Sequence, residues 1–399
     1  PLIGAHWFKV QTLDPGQVSL CVALMGWMIG LRFFASIYRT ALNGMEAQVS
    51  LNAINIVLAL VKALGSLAVL KFVSPTPLAF FLFQLVVAVV EPLVLAWRSY
   101  QVFPATAMRI GLRFARAPLV AALPFGLSVA YTSVLWMLLS QLDRLLLSGL
   151  LPLTDYGYFS LVTALCGAVI LAASPISSAL IPRLTYLHSR GEIGPLVRLY
   201  RSATQLTAVV MIPLTGMVAV FGEELMYAWT GNLAAAQWAA PILFWYMVGI
   251  AFLTFTSYQY YLQYAFGDLR LNLRVSTVQA VLGAPLIAWS AYRYGAMGTA
   301  LSTCAVQVVT FVAYPPVVQR RLVLGLYGAW MRQDLLPIAA CALVTLAVLY
   351  GLGRHWVMGL GRLEIFLALS AMGLCVMAAA ALGSSVLRAH LVRKPLPHA

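Results

Sequence analysis

The chain has 399 residues, of which 62% are hydrophobic and only 9% charged, and it carries a net charge of +14. A soluble globule of this length would hold about 25% charged residues, so a soluble enzyme or nucleic-acid-binding domain is excluded. The composition is that of an all-α polytopic membrane protein, and its excess of base belongs to loops rather than to a nucleic-acid surface.

Residues 1–16 open the chain with a polar-aromatic stretch (His6, Trp7, Lys9, Asp14) and no Met, which reads as the middle of a longer protein. A helix needs about 20 apolar residues to cross a bilayer. Counted that way, eleven spans are predicted: 17–39, 50–72, 77–97, 119–149, 156–181, 201–222, 238–263, 273–292, 297–317, 335–353 and 364–386. The run 119–149 is long enough to tilt or to extend beyond the bilayer. Connections are short, with turn residues at Pro75, Pro77, Pro152, Gly231, Asn232, Gly267 and Gly295. Two basic amphipathic stretches, 100–118 and 183–200, predict short helices on the inner leaflet against membrane lipids.

Alternating these spans puts 17 of the 25 Lys and Arg on one side and five on the other. The positive-inside bias makes the first side cytoplasmic. The C-terminal tail is then cytoplasmic and residues 1–16 external. If the native N-terminus is cytoplasmic, an odd number of spans precedes Pro1.

Three cations, Arg32, Lys62 and Arg144, remain inside spans, together with the acids Glu91 and Asp143. Charges in hydrocarbon are costly and face a bundle interior or a watery cavity. Arg32, Ser36, Arg39 and Asn43 share one helix face, and Asn52, Asn55, Lys62 and Ser66 share another. Glu91 precedes Pro92, which can kink its helix. Further along, Ser133, Ser140, Arg144 and Ser148 fall on one face, as do Ser160, Thr163, Gly167, Ser174 and Ser178, and Thr303, Gln307, Thr310 and Tyr314. Small polar stripes also serve helix packing. For the five charges, two readings stand: internal ion pairing, or a polar cavity with a net positive interior suited to an anionic guest such as phosphate. The dense stretch 254–264, with Tyr258, Gln259 and Gln263, offers flat faces and amide donors to sugar rings. No nucleotide, metal or nucleophile motif appears, so neither an enzyme nor a cofactor is expected. The five cysteines read as small hydrophobes.

The segments 141–160 (QLDRLLLSGLLPLTDYGYFS), 174–192 (SPISSALIPRLTYLHSRGE) and 38–48 (YRTALNGMEAQ) resemble the bacterial O-antigen and polysaccharide flippases. These belong to the multidrug/oligosaccharidyl-lipid/polysaccharide exporter superfamily. The resemblance implies two six-helix lobes around a central cavity, alternating access, and three spans missing upstream. It divides the chain into 1–118, the rest of the first lobe with a cytoplasmic amphipathic linker; 119–334, the second lobe; and 335–399, two peripheral spans and a cytoplasmic tail. The implied cargo is an undecaprenyl-pyrophosphate-linked oligosaccharide moved across the bacterial inner membrane, with a polysaccharide polymerase and a chain-length regulator as candidate partners. In that scheme Arg32, Lys62, Arg39 and Arg144 attract pyrophosphate, Tyr258, Gln259 and Gln263 meet sugar, and Asp143 and Glu91 serve coupling or gating. Two other readings remain: a cation-coupled multidrug exporter, which would favour a more acidic cavity, and a non-transporting scaffold of a polysaccharide assembly complex. A faint internal echo pairs Tyr38 and Gly44 with Tyr261 and Gly267.

Overall fold

The computed structural model describes residues 15–45, 47–103, 116–357 and 359–392. The opening residues 1–14, most of the 100–118 stretch and the end of the C-terminal tail lie outside the described residues. The chain is an all-α membrane protein and divides into two compact units, Pro1–Ala115 and Arg116–Ala399.

The first unit contains α1 (Pro15–Gly44), α2 (Gln48–Ala68, continued by a π-turn Val69–Val73) and α3 (Pro77–Val102). Pro77 starts α3 because its ring presets the helical φ and its missing N–H is not needed there. Thr76 caps the same end by accepting the Ala79 N–H at 3.4 Å. The core of this unit is small, built from Ala35, Leu42, Leu51 and Leu95. Helix α3 packs on both α1 and α2.

The second unit runs through α4 (Arg116–Leu150), α5 (Leu153–Ala172), α6 (Ser174–Ser189), α7 (Ile193–Val220), α8 (Gly222–Thr230), α9 (Leu233–Phe266) and α10 (Arg270–Val278). A π-turn, Gln279–Gly283, leads into α11 (Ala284–Leu322), and another, Trp330–Leu335, leads into α12 (Leu336–Val357), α13 (Arg362–Gly383) and α14 (Ser385–Val392). Helix α7 lies deepest: Tyr200, Thr204, Ala208 and Met211 are fully buried along it. Its N-terminal half holds the second unit's tightest ion pair among the described residues. Asp334, 0% exposed, accepts from Arg201 at 2.7 and 3.0 Å and from Gln205 at 2.6 Å. Gln205 in turn accepts from Ser384 at 2.7 Å, so α7 is tied to both ends of the α12–α13 pair.

Among the described residues, ten helical runs are long and apolar enough to cross a membrane, and one of them, Arg270–Leu322, is 53 residues long. Its two predicted spans, 273–292 and 297–317, are the arms of a hairpin. Ser290 Oγ lies 2.8 Å from Ser302 Oγ, and Gln279 Nε2 donates to Thr310 Oγ1 at 2.8 Å. In a straight helix those pairs would stand about 18 and 46 Å apart. The reversal falls at Gly295, whose φ of 59° and ψ of −141° are open only to glycine.

The predicted span 156–181 lies within one membrane-crossing run, Thr154–Ser189, which breaks locally at Ala173 where Ser174-Pro175 starts a new first turn. One expectation needs correction. The stretch 183–200 is not a separate surface helix. It is the end of α6, a turn at Gly191 (φ 70°) and the start of α7.

Candidate functional site

In the first unit the polar groups converge on one acid. Glu91, only 3% exposed, sits near the middle of α3. Lys62 of α2 donates to its Oε2 at 2.7 Å, and Arg39 of α1 donates to its Oε1. One carboxylate therefore holds two cations and joins all three helices. Behind Lys62, Ser66 accepts from Gln84 at 2.8 Å. Toward the C-terminal end of α3, Arg98 donates to Ser50 at 2.8 Å. Arg32 lies two turns before Arg39 on the same helix face, about 10 Å along the axis. Its side chain is exposed and has no ion-pair partner among the described residues. The cluster thus carries a net positive charge on helices long and apolar enough to cross a membrane, and an anion gains more from such charge the less water surrounds it.

In the second unit Asp143 and Arg144 do not pair with each other's side chains. Asp143 accepts from the Tyr246 hydroxyl at 2.7 Å and from the Arg144 backbone N–H at 2.8 Å. Tyr246 also reaches Thr299 at 3.3 Å. The Arg144 guanidinium donates to Gln141 Oε1 at 3.3 Å and to the Thr163 carbonyl at 3.4 Å, and no carboxylate neutralises it among the described residues.

The second unit also contains a cavity of about 580 Å³, walled by α4, α5, α6, α9, α10 and α11. Three polar stripes visible in the sequence meet there: Ser174 and Ser178 of α6, Thr254, Ser257 and Tyr261 of α9, and Gln307, Thr310 and Tyr314 of α11. Of the sugar-contact candidates, Tyr258 lines this cavity, but its hydroxyl is engaged, donating to the Ala203 carbonyl at 2.9 Å. Gln259 and Gln263 are not among the described residues that line it. Gln259 donates to Tyr200 at 3.1 Å and accepts from Gln319 at 3.2 Å, bracing α9 against α7 and α11. Gln263 donates to Tyr314 and accepts from the Asn272 N–H at 3.0 Å, so it stands behind two residues of the cavity wall and ties α9 to α10 and α11. Sequence reasoning had not singled out Trp136, Asn272 or Gln279, which also line it. Trp136 and Gln279 sit among apolar neighbours, and Asn272 sits in a loop-like basic stretch, so no period marks them.

A model of the MurJ lipid II flippase family matches residues 156–372, more than half of the chain. The chain belongs to that family. It is accordingly a multi-pass membrane transporter protein rather than an enzyme, within the exporter superfamily that the resemblance names. Among solved structures, an inward closed conformation of the lipid II flippase MurJ aligns with a TM-score of 0.63 at 14% identity. The alignment covers 95% of this chain and 76% of that one, and it establishes the fold. No curated protein sequence matches the chain.

Proposed function

We propose that this chain moves a polyprenyl-pyrophosphate-linked saccharide between the leaflets of the bacterial plasma membrane by alternating access. One observation carries this reading: in the first unit Lys62 and Arg39 share a single buried acid, and Arg32 adds a third cation with no ion-pair partner among the described residues. A net positive site among membrane-crossing helices stabilises a pyrophosphate and repels a cationic drug. Arg32 takes the head group with least loss, because binding there breaks no existing ion pair. Arg39 and Lys62 supply the surrounding field, with Glu91 as their fixed counter-charge. Asp143 and Arg144 act nearer the outer end of α4, where the orientation of the loops puts release or gating. The same orientation gives a cytoplasmic C-terminus.

Lipid II is the cargo named for the family and is our first candidate. The resemblance of 141–160 and 174–192 to polysaccharide flippases makes an O-antigen unit the second, and only that cargo would bring a polymerase and a chain-length regulator as partners. The test is a proteoliposome assay with fluorescent lipid II and a fluorescent O-antigen-type lipid, scored by protection from a membrane-impermeant quencher. The wild-type chain should accelerate the crossing of one of them, and Arg32→Glu should abolish it. If neither lipid moves, or Arg32→Glu moves it at the wild-type rate with normal incorporation, the reading fails.

A further inference from the structure

The cavity in the second unit sets hydroxyls and amides into a largely apolar and aromatic wall, and among the described residues no Arg, Lys, His, Asp or Glu lines it. What it offers a guest depends on where its own protons already point. Thr254, Thr256, Ser257 and Thr310 each donate to a backbone carbonyl one turn back, and so do Ser133 and Ser178. A hydroxyl engaged in this way keeps its lone pairs and presents itself as an acceptor. Gln279 gives its Nε2 to Thr310, which leaves its carbonyl oxygen. Gln307 Oε1 is buried without a hydrogen-bond partner among the described residues. An acceptor left this way is costly, and a turn of the amide toward a guest hydroxyl would relieve it. Trp136, Tyr260 and Tyr261 add ring faces to the same wall.

Acceptors and aromatic faces without cations suit a guest rich in O–H donors and free of charge. A phosphate or carboxylate, which only accepts, would find no charged donor. Pyranose rings have the complementary character: hydroxyls at the edges and apolar C–H faces that lie on aromatic rings. At about 580 Å³ the cavity is within the roughly 300–1,000 Å³ of ordinary small-ligand sites.

We propose that this cavity is a neutral-saccharide subsite, which receives uncharged sugar rings of the cargo through the acceptors of Gln279, Gln307 and the Ser/Thr wall. The inference rests on the saccharide cargo proposed above, but the anionic head group plays no part in it. The test separates the two. Purified full-length chain in detergent is probed on an array of lipid-free oligosaccharides, one set neutral and one bearing uronic acids. A parallel proteoliposome assay follows a polyprenyl pyrophosphate that carries no sugar. Binding should be confined to neutral glycans. Both Gln307→Leu and Tyr260→Ala should weaken it, Gln307→Leu by about fivefold, as the loss of one hydrogen bond implies. Neither variant should change movement of the sugarless lipid. A preference for acidic glycans, no binding of any neutral glycan, or undiminished binding in both variants would overturn the subsite. If the sugarless lipid moves while neutral glycans are ignored, the flippase reading survives and the subsite does not. Neutral glycans bound by a chain that moves no lipid would give the reverse.

Discussion

The first unit meets hydrocarbon with charge, setting Arg39 and Lys62 against the buried Glu91. The second unit lines its cavity with hydroxyls, amides, aromatic rings and aliphatic side chains, and with no charged group among the described residues. The difference follows from what each must offer. A buried ion pair rarely adds net stability, because desolvation offsets the attraction, so an excess of cation is kept for something beyond folding. Neutral hydroxyls cost little in hydrocarbon when they bond to a carbonyl one turn back, and their lone pairs stay free. Charge suits the anionic part of a cargo and back-bonded hydroxyls its uncharged part. The family match spans 156–372, within the second unit, whereas every member of the cationic cluster lies in the first.

The largest expected effect breaks the first half of this comparison. Glu91→Gln leaves Arg39 and Lys62 facing each other without a counter-charge, and it should destabilise the fold by about 3 kcal/mol, seen as a lower melting temperature in detergent. Replacing all three together (Arg39→Met, Lys62→Met, Glu91→Leu) should restore melting while leaving transport lost. The next effect falls on the hairpin that brings Gln307 and Thr310 to the cavity. Gly295→Ala forces a side chain into a glycine-only conformation and should cost about 2 kcal/mol by the same melt.

Much of this architecture was legible in the residues. Hydropathy gave the spans, since a run of apolar residues in lipid has few alternatives to a helix. Gly295 was visible as a turn. Other features were hidden for physical reasons. The break at Ala173 is signalled only by Ser174-Pro175, and proline is as well suited to starting a helix as to kinking one. Glu91 and Arg39 are 52 residues apart in the chain, so nothing local announces their pairing. In 254–264 nearly every position is polar or aromatic. Periodicity therefore could not decide that Ser257, Tyr260 and Tyr261 face the cavity while Gln259 and Gln263 face the core.

Smaller effects sharpen the second half. Tyr246→Phe removes the hydroxyl that donates to Asp143 at 2.7 Å. It should cost about 1 kcal/mol in stability, and Asp143→Asn combined with it should show strong non-additivity in a double-mutant cycle. Smallest of all on the fold is Gln307→Leu. Its Oε1 already lacks a hydrogen-bond partner among the described residues, so melting should shift by no more than about 0.5 kcal/mol equivalent, or rise, because removing an unmet acceptor is nearly free. A large loss of stability there would mean that the amide supports the wall instead of the guest.

The most direct test of the central claim is binding of a polyprenyl pyrophosphate and of the matching monophosphate to the wild-type chain and to the triple apolar variant with Arg32→Met added, by native mass spectrometry in detergent. The account predicts that the wild type prefers the pyrophosphate and that the folded quadruple variant binds both lipids weakly and alike. A quadruple variant that melts normally and keeps the wild-type preference would contradict it.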